Sequence, residues 1–95
     1  MAVAVIVQAG TREQYDAVAE RINADGIPDG AIVHTATETP DGVRMMDVWE
    51  SREAFERFQE ERIGPIGREL GIDMTGPPPK IYELFSVIVN EKARV

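Results

Sequence analysis

The run Ala2-Val3-Ala4-Val5-Ile6-Val7 is apolar at every position. Successive side chains of a strand point to opposite faces, so this segment offers apolar groups to both sides of any sheet it joins. A chain of 95 residues has room for one domain, spanning 1–95, with one layer of helices against one sheet. One face of the sheet therefore needs cover that the chain itself does not provide.

The rest of the pattern supplies the other elements. Thr11 opens a helix, with Gln14 placed to complete a capping box. Tyr15, Val18, Ala19 and Ile22 recur at helical spacing and read as its inner stripe. Gly26 and Pro28 stop it. Ala31 to Glu38 is rich in β-formers, Thr39-Pro40-Asp41-Gly42 is a turn, and Val43 to Glu50 returns as the second arm of a hairpin. Ser51 caps a second helix with Ala54, Phe55 and Phe58 inward, and Pro65 ends or kinks it. Lys80 to Val89 is predicted as the last strand, with a frayed charged tail beyond. The order β-α-β-β-α-β predicts a ferredoxin-like α+β fold, a four-stranded antiparallel sheet with both helices on one face. Apolar residues on both parities of the first and last strands predict that a second copy covers the open face, as an isologous homodimer.

Composition narrows the chemistry. The chain has no cysteine and a single histidine, His34, which removes thiolate sites and any two-histidine metal motif within one chain. Ten basic against seventeen acidic residues give a net charge of −7, so neither nucleic acid nor an anionic membrane surface is an expected partner. The apolar N-terminal run is far short of the roughly twenty residues that span a bilayer, and a cytoplasmic location is expected.

The stretch Val48-Trp49-Glu50-Ser51-Arg52-Glu53-Ala54-Phe55-Glu56-Arg57-Phe58 resembles the strand-to-helix junction of the antibiotic-biosynthesis-monooxygenase-like superfamily, and Ile32-Val33-His34-Thr35 is similar to a strand of the same group. The resemblance implies a dimeric α+β barrel. It leaves function open among cofactor-free monooxygenases, haem-degrading enzymes, isomerases and stress-response proteins. The haem-degrading branch carries a tryptophan and then a ligating histidine where this chain has Phe58 and Arg68, and a guanidinium cannot stand in for a neutral imidazole. No cofactor and no metal are expected. In the cofactor-free branch the protein binds a polycyclic phenol and helps to ionise it, and the substrate anion reduces oxygen.

His34 is the natural general base, being the one side chain whose ordinary pKa lies near neutrality, and its ordinary structural role is a histidine satisfied by a neighbouring hydroxyl or carbonyl. Asp47 and Tyr82 are its expected catalytic assistants, and the parity of Tyr82 equally fits a dimer contact. Trp49, Met45 and Arg44 are the expected ligand-binding residues, and each also has an ordinary structural role: packing for Trp49 and Met45, and a cross-strand partner in Glu38 for Arg44. Whether Asp47 meets His34 depends on the hairpin. A two-residue turn pairs them. A bulge at Gly42 pairs Thr35 with Asp47 and Glu38 with Arg44 instead, and the turn chemistry favours that second register. The expected function is a homodimeric barrel binding a small hydrophobic or aromatic molecule, with a cofactor-independent monooxygenase-like reaction at His34. The alternative is a non-enzymatic ligand-binding or stress-response module on the same fold.

Overall fold

A computed structural model describes residues 1–73 and 76–90. The elements are β1 (Val3–Gln8), α1 (Arg12–Ala24), β2 (Ala31–Thr39), β3 (Gly42–Trp49), α2 (Arg52–Phe58), a wide π-turn (Gln59–Ile63), α3 (Gly64–Leu70) and β4 (Lys80–Glu83). The strands form one sheet in the order β2-β3-β1-β4, antiparallel throughout. This is the ferredoxin-like α+β architecture.

Local chemistry explains the boundaries. The Thr11 hydroxyl accepts from the Gln14 N–H at 3.1 Å, and the Gln14 side chain accepts from the Thr11 N–H at 3.0 Å, so the capping box closes. Ser51 caps α2 through the Ala54 N–H. Pro65 does not break the second helix. Proline lacks an N–H and crowds the carbonyl four residues back. The preceding π-turn widens the helix there, with the Gly64 N–H reaching the Gln59 carbonyl, and the chain continues into α3.

The core lies between the sheet and α2. Val3, Val5 and Trp49 pack against Ala54 and Phe55, with Val7, Ala31, Phe58 and Ile81 around them. Trp49 meets Phe55 edge-on, with centroids 5.6 Å apart. Residues paired across strands share a face, so Val5, Asp47, Ile81, Met45 and His34 point toward the helices. Ala4, Ile6, Val33, Met46, Val48 and Tyr82 point the other way. Among the described residues no element covers that second face, and Met46 and Tyr82 lie exposed on it.

Two expectations are corrected here. The last strand ends at Glu83 rather than Val89. The Leu84 N–H still donates to the Ala2 carbonyl at 2.9 Å, but the chain then leaves the sheet, with Phe85 fully exposed and Ile88 92% exposed. The expected charged tail falls, from residue 91 onward, outside the described residues. The second correction is the hairpin register. Thr39 pairs with Gly42 across the two-residue loop Pro40-Asp41, so His34 pairs with Asp47. Three contacts hold this register. The Thr39 hydroxyl donates to the Gly42 carbonyl at 2.8 Å and accepts from the Asp41 N–H at 3.2 Å. The Val43 N–H donates to the Gly10 carbonyl at 3.1 Å. Gly42 itself has φ +115°, and a Cβ there would stand 2.5 Å from that same carbonyl, so glycine is required by both angle and space.

The bulge exists, but at the far end of the strand. Ala31 pairs with Trp49 and Val33 with Val48, leaving Ile32 as the extra residue. Ala31 and His34 are three apart and would face opposite sides of a regular strand. The bulge lets both face the helices, Ala31 into the core and His34 toward α1.

Candidate functional site

Three elements converge on His34. β2 carries it, β3 places Asp47 directly opposite, and α1 brings Tyr15 over the pair. His34 Nδ1 lies 2.7 Å from Asp47 Oδ1, and His34 Nε2 lies 2.6 Å from the Tyr15 hydroxyl. The other carboxylate oxygen of Asp47 accepts from the Trp49 indole N–H at 3.3 Å. An ionised carboxylate only accepts, so with a neutral ring Nδ1 carries the proton and Nε2 accepts from Tyr15. The chain of donors runs Tyr15 to His34 to Asp47, with Trp49 fixing the end.

The environment grades from rigid to open along that chain. Trp49 is 2% exposed, the Asp47 side chain 12% and the His34 side chain 48%. The bond to Asp47 raises the His34 pKa above its ordinary value, against the opposing pull of partial burial. Burial raises the Tyr15 pKa, and the charges of Asp47 and Asp16 add to that, with Arg12 opposing. The Tyr15 and His34 rings lie within 6° of parallel, with centroids 6.0 Å apart. The hydroxyl oxygen is the part of Tyr15 that meets the imidazole, at Nε2.

The other expected site residues divide. Met45 shares the face of His34, half-buried, one pair nearer the hairpin turn opposite Ala36. Trp49 shares that face too, but its ring is packed against Phe55 and Phe58, so it positions Asp47 rather than meeting a ligand. Tyr82 pairs with Ala4 and Arg44 with Gln8, which puts both on the opposite face of the sheet. Tyr82 therefore cannot assist His34. Arg44 is opposite Thr37, not Glu38, and donates to the Gln8 side chain at 3.0 Å, while Glu38 pairs with Arg12 at 3.1 Å. Tyr15 is the residue that sequence reasoning missed. Its helical spacing with Val18 and Ile22 marked it as inner stripe, and no short-range signal distinguishes a core tyrosine from one whose hydroxyl meets a histidine 19 positions away.

Two surface grooves lie elsewhere. One runs between the 25–29 loop and α2, past Arg57 and Phe58, and the other lies between α1 and α3 near Arg21 and Glu69. His34 lines neither. Among the described residues no group of three histidine, aspartate or glutamate side chains is arranged to hold a metal ion. His34 already has a partner at both nitrogens. No described helix is long and apolar enough to cross a membrane.

No protein-family model and no curated protein matches the chain. Solved structures do. An antibiotic-biosynthesis-monooxygenase-type protein from Deinococcus radiodurans superposes with a TM-score of 0.58 at 15% identity, over 95% of this chain and 98% of that one. A haem-degrading protein from Mycobacterium tuberculosis superposes with a TM-score of 0.55 at 16% identity, over 94% of this chain and 100% of that one. SnoaB, a cofactor-independent oxygenase from Streptomyces nogalater, gives 0.54 at 17% identity, over 94% and 95%. The chain thus has the antibiotic-biosynthesis-monooxygenase-like fold. The same fold serves a haem-degrading protein and a cofactor-independent oxygenase among these structures, so the fold alone does not fix function.

Proposed function

We propose that this chain is a single-domain, homodimeric barrel that binds a small hydroxylated aromatic molecule against His34 and ionises it, in a cofactor-independent monooxygenase-like reaction. The observation that carries the reading is the 2.7 Å bond from His34 Nδ1 to Asp47. It holds the ring in the tautomer that leaves Nε2 as base and favours the imidazolium that forms when a proton arrives. The half-buried Met45 and the small Ala36 offer an apolar flank beside the base. The ionised ligand is then the electron donor to oxygen. One oxygen atom enters the product and the other leaves as water, while the chain's own residues orient the ligand and manage the proton.

The dimer reading rests on the uncovered sheet face and the apolar segment that follows β4. Val33, Met46 and Tyr82 lie exposed on the face, with Phe85 and Ile88 exposed beyond it, an apolar set of the kind that marks interaction sites. A second copy, offering the same face, is the simplest cover. Light scattering at micromolar concentration is expected to give twice the 10.5 kDa chain mass, and a monomeric mass refutes the pairing.

Oxygen uptake with anthrone-type phenols tests the chemistry. Turnover that His34→Ala abolishes supports the base, and turnover that survives the substitution removes it. One observation favours the non-enzymatic reading: the His34 side chain is 48% exposed, whereas a reactive anion is best kept from water. Saturable ligand binding with no oxygen consumption would establish that alternative.

A further inference from the structure

A nitrogen that already accepts one O–H bond has no second lone pair to offer. His34 Nε2 is the only ring position left to act as a base, and the Tyr15 hydroxyl occupies it at 2.6 Å. Any ligand that uses this nitrogen must first displace Tyr15. We infer that Tyr15 is a resident stand-in for the ligand: its own phenol holds the seat on His34 Nε2, and binding is an exchange of one phenol for another. This rests on the reading of His34 as the ligand's base.

The two sides of the imidazole are built for such an exchange. On the Nδ1 side, Asp47 is nearly buried and is held by Trp49, itself within the core. On the Nε2 side, Tyr15 comes from α1, a helix with no buried residue. The first contact is anchored by packing, and the second by a helix whose inner stripe is only half-buried. The Tyr15 hydroxyl itself shows that a phenol oxygen reaches hydrogen-bond distance of Nε2. Burial and the neighbouring carboxylates also raise the Tyr15 pKa, making it a poorer proton donor than an ordinary phenol and so an easily outcompeted one. The exchange conserves the hydrogen bond to Nε2 and leaves the Tyr15 hydroxyl to water. Tyr15 is accordingly a gating and positioning residue, and a ligand lacking an O–H donor gains nothing by replacing it.

The single histidine makes the test unambiguous. Diethyl pyrocarbonate acylates an unprotonated imidazole nitrogen, and every acylated histidine in this chain is His34. Tyr15→Phe removes one oxygen and keeps the ring, and its urea midpoint checks that the fold is retained. Loss of one hydrogen bond to Nε2 is expected to speed acylation about fivefold. Protection by 4-nitrophenol should appear in both proteins, at severalfold lower concentration in Tyr15→Phe. Unchanged acylation, or protection that is equal or weaker in the variant, overturns the stand-in role while leaving the ligand-binding reading in place. Faster acylation with no protection in either protein overturns the exchange and the phenolic ligand together. A matched probe without the hydroxyl, nitrobenzene, should protect neither, and equal protection by it overturns the need for an O–H donor.

Discussion

The two faces of the sheet invert the usual arrangement of a small domain. The face under the helices holds Val5 and Trp49 in a dry core, and at its β2 edge it also holds the only imidazole, tied to a carboxylate, an indole and a phenol. The face toward solvent carries exposed Val33, Met46 and Tyr82, with a separate polar set near the hairpin turn, where Gln8 bonds Thr39 and Arg44. The imidazole sits on the covered side, and an exposed apolar set sits on the wet side. The proposed chemistry and the proposed assembly therefore fall on opposite sides of one sheet, and a substitution on one side should leave the other's readout in place.

The strongest break in that division is at the junction of core and site. Trp49 packs against Phe55 and Phe58 and donates to Asp47. Trp49→Ala is expected to cost about 3–5 kcal/mol of stability from lost packing, a large share of the roughly 5–15 kcal/mol that holds a typical domain folded. Urea unfolding would measure it. Trp49→Phe keeps much of the packing and removes only the indole N–H, so it should cost less and show its effect in the His34 titration. Equal losses for the two variants would mean that the ring's volume carries nothing.

On the open side, Met46→Glu is expected to lower the light-scattering mass from the dimer to the monomer, because a carboxylate without a partner is costly to bury in an apolar interface. The rate of His34 acylation should be unchanged in the same sample. If the mass stays dimeric, the sheet face is not the interface. If acylation changes as well, the two faces are not independent.

The division of the sheet was partly legible in the sequence. The element order, the capping box of Thr11 and Gln14, and the apolar parity of β1 all follow from patterns within a few residues. The pairing of His34 with Asp47 did not. It depends on which end of β2 holds the extra residue, and Pro40-Asp41-Gly42 carries the turn chemistry of a bulge, whereas Ile32, the actual bulge, carries no Gly or Pro signal. The strand expected through Val89 stops at Glu83 for a related reason: an apolar run does not say whether its partner lies in the same chain. Tyr15 shows the same limit on a helix, since 3.6-residue spacing reports which way a side chain points and not what its far end touches.

Between these faces, Asp47→Asn is a smaller perturbation than Trp49→Ala. An amide keeps the shape and can still accept from His34 Nδ1, but it no longer favours the imidazolium. The pKa of His34 should fall toward or below its ordinary value, as followed by the ring proton shifts in NMR. Any oxygen-dependent turnover should drop about 10²-fold or more with it. An unchanged His34 titration would show that the 2.7 Å contact carries no electrostatic weight.

The gentlest test uses pH alone. Asp47 from β3 and Tyr15 from α1 are the titratable groups bonded to His34, and the Asp47 bond raises the folded-state pKa above the unfolded value. The folded protein then binds a proton more tightly than the unfolded chain does. The stabilisation is fully present below about pH 6.5, the unfolded value, and is lost as pH rises through the higher folded value. Because the His34 side chain is 48% exposed, solvent screening keeps the effect small, below about 1 kcal/mol. Urea unfolding from pH 6 to 8 should show wild type losing stability relative to His34→Gln across that window. The difference isolates this residue, since every other titratable group is common to both proteins. Met46→Glu, on the other face, should keep the wild-type slope; losing it would mean that the interface contributes to the His34 environment and that one sheet does not separate the two tasks.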